Sequence, residues 1–226
     1  MCAATPAGAQ SVASLFTTLP ADFGHLFVPS TAIVLGIGGA ASAAVHPQDD
    51  EIAVRIGATE GARVKVFRAG HVLGDSPAQA ALALGVYVAG RMSGRPGLGA
   101  AGADLVDAQI VNGVLTQGIK VSVDRTRPNG SRYSFPSGHT SATFATAAVI
   151  QEHYGWKVGI PAYAFAGFTG WTRVRDGQHW LSDVVFGSAV GIIAGHAVTI
   201  GHGRHSWSVV PAAAPGGGAV FIVKNK

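Results

Sequence analysis

Long stretches without a charged side chain, divided by short clusters of charge, glycine and proline, constrain this chain more than any other feature. They cover residues 24–48, 76–90, 108–119, 133–151, 158–172 and 184–203. The main breaks fall at His46-Pro47-Gln48-Asp49-Asp50-Glu51, at Gly94-Arg95-Pro96-Gly97 and over residues 125–131, where helix-stopping and turn-forming residues gather. The interiors are rich in Ala and Leu, good helix formers that let one segment satisfy its own backbone. An all-α bundle of about six helices is expected. Two stretches are long enough for a hydrocarbon core of about 30 Å, which takes roughly 20 residues. The shorter ones would need charged flanks to snorkel, so a membrane bundle and a soluble one both stay open at this point.

At 226 residues the chain is sized for one main domain, expected over residues 21–205. Residues 1–20 read as a flexible N-terminus or the remnant of an export signal: Ala7-Gly8-Ala9 resembles a cleavage site, without the basic and apolar regions that normally precede one. Residues 206–226 read as a β-prone tail. Within it, residues 206–210 and 219–224 form strand-like runs joined by a Pro- and Gly-rich loop over 211–218.

Composition removes several function classes. With 48% hydrophobic and 12% charged residues, the chain is not a disordered, solvated protein. Lys and Arg outnumber Asp and Glu only 16 to 12, too small an excess for a general nucleic-acid surface, so no nucleic-acid partner is expected. The single cysteine, Cys2, excludes an internal disulfide framework and a thiolate zinc site. Gly36-Ile37-Gly38-Gly39-Ala40-Ala41 matches a dinucleotide-binding pattern in form, yet no βαβ surroundings or following acid support it. His196, His202 and His205 lack a carboxylate companion and fit no common zinc spacing.

Gly187, Gly191 and Gly195 recur every four residues, which puts them on nearly one helix face where a neighbouring backbone can come close. Three other clusters carry chemistry. In the first, Lys120, Arg125 and Arg127 end an apolar segment before Pro128 turns the chain; alone, it reads as a solvated or lipid-facing basic loop. The second, Pro136-Ser137-Gly138-His139, opens a helical run. Ser and Gly there are ordinary caps, but a helix start also binds anions through its unpaired amides and dipole, and Gly138 lets a phosphate approach. A proton on His139 is disfavoured at that positive end and easily released to a leaving group. In the third, Arg173 precedes His179 and Asp183. If helical, the latter two share a face, so Asp183 can accept the Nδ1 proton and leave Nε2 as a nucleophile.

Taken in order, Lys120-x6-Arg127-Pro128, Pro136-Ser137-Gly138-His139 and Arg173-x5-His179-x3-Asp183 resemble the three-part signature of the type 2 phosphatidic acid phosphatase and vanadium haloperoxidase superfamily. Thr172 stands where that family commonly has Ser, and keeps a hydroxyl. The resemblance implies a metal-independent phosphatase acting on a phosphomonoester or pyrophosphate through a phosphohistidine. His179 is then the nucleophile, Asp183 its orienting acid and His139 the general acid and base. Lys120, Arg127, Ser137, Gly138 and Arg173 bind phosphate. Expected substrates are a lipid phosphate such as phosphatidic acid or an isoprenoid pyrophosphate, handled at the cell envelope by a membrane protein whose site faces outward. A soluble periplasmic or secreted phosphatase acting on small phosphate esters is the alternative location and substrate. A vanadate-dependent haloperoxidase is the alternative chemistry. No cofactor is expected for the phosphatase, with vanadate binding as an inhibitor; in the haloperoxidase it would be the cofactor.

Overall fold

The computed structural model describes residues 12–57, 65–200, 207–214 and 217–224. Among them are nine α-helices: α1 (Val12–Gly24), α2 (Pro29–Val45), α3 (Asp49–Gly57), α4 (Lys65–Gly74), α5 (Ser76–Met92), α6 (Pro96–Val123), α7 (Gly138–Tyr154), α8 (Trp156–Arg175) and α9 (Leu181–Thr199). The six charge-free stretches correspond to α2 and α5 through α9. Of the other three, α3 and α4 carry charges that break an uncharged run, as in Asp49-Asp50-Glu51 and Arg55 of α3, whereas α1 lies largely within the uncharged residues 1–21, which read as a terminus. Residues 12–20 were expected in a flexible terminus, yet they belong to α1. Leu19 packs on the core and Thr18 Oγ1 donates to Asp107 Oδ2 at 3.0 Å. The proposed cleavage region, residues 1–10, lies outside the described residues.

Helix starts follow the sequence punctuation. Pro sits in the first turn of α2, α5 and α6, where its missing N–H costs nothing. The core is built from small side chains: Ala83, Leu105, Ala108, Val111, Ala145, Val149, Ala194 and Val198. α5 packs along α6, α7 against α8 and α9, and α2 along α9. A Cβ on Gly187 would lie 2.8 Å from the Ser137 carbonyl, on Gly191 2.2 Å from that of Ser141, and on Gly195 2.7 Å from that of Ala145. The glycine stripe thus sets α9 directly against the α7 backbone, as its spacing foretells, and the contact runs up to the first turn of both helices.

The segment Pro29–Ile56 and α9 are both long and apolar enough to cross a membrane. They differ in their surroundings, with 11% of the first segment's most apolar window buried against 61% of α9. Ile33 and Ile37 on α2 are 61% and 66% exposed.

The tail forms a hairpin of β1 (Trp207–Ala214) and β2 (Gly217–Lys224), antiparallel from the pair Trp207 and Lys224 to the pair Ala214 and Gly217. The strands run through most of the expected loop over 211–218, leaving only residues 215–216 between them. Pro211 is tolerated within β1 because a two-stranded ribbon has a free edge on each strand.

Candidate active site

Two chain reversals converge at one end of the bundle: the connection from α6 to α7, which leads into the start of α7, and the connection from α8 to α9. The first is a folded loop. The Arg127 N–H donates to the Ser131 carbonyl at 2.8 Å, that of Gly130 to Arg127 at 3.0 Å and that of Ser134 to Arg125 at 2.8 Å. Gly130 takes a φ of 83°, which glycine adopts without strain. Across the site the Ser137 N–H donates to the Asp183 carbonyl at 3.1 Å, pinning the start of α7 to the first turn of α9.

Ser137 occupies the N-cap of α7 but makes no capping bond. Its hydroxyl, fully buried, instead accepts from Thr140 Oγ1 at 2.9 Å. The ordinary capping role is therefore not taken, and the first amides of α7 have no side-chain acceptor. Lys120 lies beside this turn, with Cε 3.9 Å from where a Gly138 Cβ would stand. Its Nζ donates to the Tyr133 carbonyl at 2.7 Å. Arg127 Nη1 donates to Gln178 Oε1 at 3.2 Å, next to His179 in sequence, while the buried Arg127 Nε has no hydrogen-bond partner. Arg173, 2% exposed, lies in the last turn of α8, where Nη1 meets His71 Nδ1 at 2.8 Å and Nη2 donates to Asp176 at 2.9 Å. The His71 ring stacks on His139 with centroids 5.5 Å apart, and His139 is within electrostatic reach of Arg173 and His179.

His179 and Asp183 meet, although not as two residues of one helix. His179 lies in the connection before α9. Asp183, in the first turn of α9, accepts the Trp180 N–H at 2.9 Å, which ties the connection carrying His179 to the head of that helix. Nδ1 of His179 stands 3.5 Å from Asp183 Oδ2, an ion-pair distance that is too long for a formed hydrogen bond. Both are shut away from solvent, at 3% and 0% exposure. Burial holds the His179 imidazole below the usual histidine value. Lys120 and Arg127 press the same way and Asp183 opposes them.

Several residues of the site were not assigned from the sequence. Arg125 was read as one of three cations but left out of the phosphate set; here it donates to Asp183 Oδ1 at 2.6 Å. Ser134 Oγ donates to Asp183 Oδ2 in a short contact. Asp75, the cap of α5, places Oδ1 3.5 Å from His139 Nε2. His71, Asp75 and Asp49 come from elements before residue 80, where no local pattern signals a partner more than sixty positions away. Among the described residues no group of three His, Cys, Asp or Glu could hold a metal ion, and the turn of α7 is lined by cations.

Buried cations, helix-start amides without a side-chain acceptor and a desolvated histidine beside a carboxylate thus come together at one end of the helical bundle. Residues 101–207 match the family model for the PAP2 superfamily, a stretch that holds every assigned site residue. Over that stretch, just under half of the chain, the sequence has the features of the PAP2 superfamily. Over 96 residues it is 38% identical to a lipid A 1-phosphatase of Porphyromonas gingivalis, spanning 41% of this chain and 21% of that protein. Over 118 residues it is 28% identical to a lipid A 4'-phosphatase of Helicobacter pylori, spanning 47% of this chain and 59% of that one. The chain thus spans about a fifth and about three fifths of the lengths of these relatives. Two crystal structures share the fold at 22% identity, each covered to 93%. Aquifex aeolicus LpxE has a TM-score of 0.57 over 66% of this chain, and a transmembrane PAP2-type phosphatidylglycerolphosphate phosphatase of Bacillus subtilis has 0.58 over 83%.

Proposed function

We propose that the chain is a metal-independent lipid phosphate phosphatase that works through a phosphohistidine. One observation carries the reading: a buried histidine on the connection into α9 stands beside a carboxylate in the first turn of that helix, whose backbone carbonyl accepts a hydrogen bond from the uncapped start of α7. The phosphate lies in the first turn of α7, against the amides from Gly138 onward and the Ser137 hydroxyl proton. Lys120, Arg127 and Arg173 neutralise its oxygens, and Arg127 Nε supplies an unpaired donor. The Nε2 lone pair of His179 attacks phosphorus in line while the bond to the leaving oxygen breaks, and His139 protonates that oxygen. Asp183 stabilises the imidazolium. Water, losing its proton to His139, then attacks the phosphohistidine and releases phosphate and neutral His179. Positioning and charge neutralisation supply most of the barrier lowering in such transfers.

The substrate is an amphiphile, and the enzyme resides in the cell-envelope membrane with the site at its outer surface. Exposed Ile33 and Ile37 on a long apolar helix favour hydrocarbon over water as their solvent. The matched relatives are lipid A phosphatases, which favours a phosphate on a lipid A-type glycolipid over phosphatidic acid or an isoprenoid pyrophosphate.

The test is phosphate release by the detergent-purified chain, with EDTA present, from a lipid A-type phosphate, phosphatidic acid, an isoprenoid pyrophosphate and a soluble phosphomonoester. The glycolipid should be cleaved fastest, and His179→Ala should be inactive on all four. Turnover that EDTA abolishes and a divalent metal restores would overturn the mechanism. A preference for the soluble ester would overturn the lipid assignment.

A further inference from the structure

The Asp183 carboxylate needs both oxygens held if it is to face His179. Oδ2 is fixed by Ser134 and the Trp180 N–H and faces the imidazole. Oδ1 takes Arg125 Nη1 at 2.6 Å. Arg125 is itself clamped. The same Nη1 donates to Ser182 Oγ at 2.7 Å, Nη2 donates to Asp49 Oδ2 at 2.8 Å, and the guanidinium lies over the Trp180 ring at 5.4 Å from its centroid. Asp49 is the first residue of α3 and its side chain is 4% exposed. Its Oδ1 accepts the Ser182 N–H at 3.0 Å, and its Oδ2 accepts the Ser182 hydroxyl in a short contact. Ser182 is bound in turn through its carbonyl, which accepts Ser42 Oγ of α2 at 2.9 Å.

One arginine therefore joins two buried carboxylates more than 130 positions apart in the chain. A guanidinium is a rigid fork, so fixing one prong on Asp49 fixes where the other meets Asp183. Burying Asp49 without a cation would be costly, and the cation it has is the one that orients Asp183. The residues matched to the family begin at 101, so half of this clamp comes from outside them.

We propose that Asp49 and Arg125 form a positioning brace for the nucleophile: Asp49 holds Arg125, Arg125 holds Asp183, and Asp183 aims His179. Neither brace residue touches the substrate. The proposal rests on the phosphatase reading, and it makes the junction of α2 and α3 part of the catalytic apparatus rather than an anchor.

The test compares Asp49→Asn, Arg125→Gln, the double variant and His179→Ala in the full-length protein. Phosphate release and the vanadate inhibition constant are measured on each. Misaiming the nucleophile should lower kcat about 10- to 100-fold in either single variant. KM and vanadate affinity should stay within about threefold, because Lys120, Arg127 and Arg173 still hold the anion. Since Asp49 acts through Arg125, the double variant should be no slower than Arg125→Gln alone. Native kcat in either single variant would overturn the brace. So would an equal loss of vanadate binding, or a double variant whose defect is the product of the two. Should Asp49→Asn fail to fold, Arg125→Lys decides: it keeps the charge but loses the fork, and should fall between native and Arg125→Gln, whereas native kcat refutes the brace. An active His179→Ala rejects the phosphohistidine mechanism on which the brace rests; an inactive one beside an Arg125→Gln of native kcat rejects only the brace.

Discussion

Substituting Gly191 by Ala probes how tightly the two halves of the site are joined. The added methyl would stand 2.2 Å from the Ser141 carbonyl oxygen, 2.7 Å from Phe144 Cβ and 2.9 Å from the Ala145 nitrogen. Two of these are backbone atoms of α7 and cannot rotate away. Reaching ordinary contact separates α9 from α7 by about 1 Å, and such overpacking costs about 1–3 kcal/mol of stability. The same displacement moves His179 and Asp183, carried at the head of α9, away from Gly138 and His139 at the head of α7. A misplacement of about 1 Å lowers turnover by about 100-fold. Gly113→Ala in α6 is the matched control. Nothing lies within 4 Å of its Cβ position, and exchanging a helical Gly for Ala gains up to about 1 kcal/mol in propensity. Thermal unfolding in detergent and kcat for phosphate release on the two variants give the comparison. If Gly191→Ala matches Gly113→Ala in both, the close approach of α7 and α9 does not position the site and the reasoning is refuted.

Three further predictions concern the side chains of the site. The proposed mechanism needs neutral His179, and burial holds that group below the ordinary histidine value of about 6.5. As pH rises, kcat/KM should therefore climb along an acid limb centred below about 6.5, since that ratio reports the free enzyme; a limb centred above 7 contradicts the assignment. Asp183→Asn should depress kcat by orders of magnitude and leave the vanadate inhibition constant nearly unchanged; equal losses would make Asp183 a structural residue. Arg127→Lys should raise KM and lower kcat together, because a point charge cannot replace a forked contact to two phosphate oxygens, and native kinetics in that variant would remove Arg127 from the site.

The six long helices are legible in the sequence because an uncharged run of helix-forming residues has few other ways to satisfy its backbone, and Pro and Gly mark where each run stops. The glycine stripe is legible too, since a four-residue repeat can only describe one face of a helix. The motif clusters could be ordered along the chain, His139, His179 and Asp183 given candidate chemistry from residue type and spacing, and the cations assigned to phosphate only through the resemblance to a known family. Helices α3 and α4 escaped because their charges interrupt the runs, and α1 because its uncharged run over residues 1–21 read as a terminus; the hairpin strands proved longer than their composition suggested because Pro and Gly are acceptable at the edges of a two-stranded ribbon.

The contacts that assemble the site lay beyond such reading. His179 reaches Asp183 through a cap at the start of α9 rather than along a helix face, and only the folded connection reveals it. Asp49, His71 and Asp75 approach Asp183, Arg173 and His139 because α2 lies along α9 and α4 meets α8. Spacing and propensity act over a turn or two of chain, whereas these charge pairings depend on how closely whole helices pack. Residue chemistry written in order along the chain settles which groups are available. Packing settles which of them share a buried charge, because a carboxylate removed from water takes the cation that the neighbouring helix brings to it.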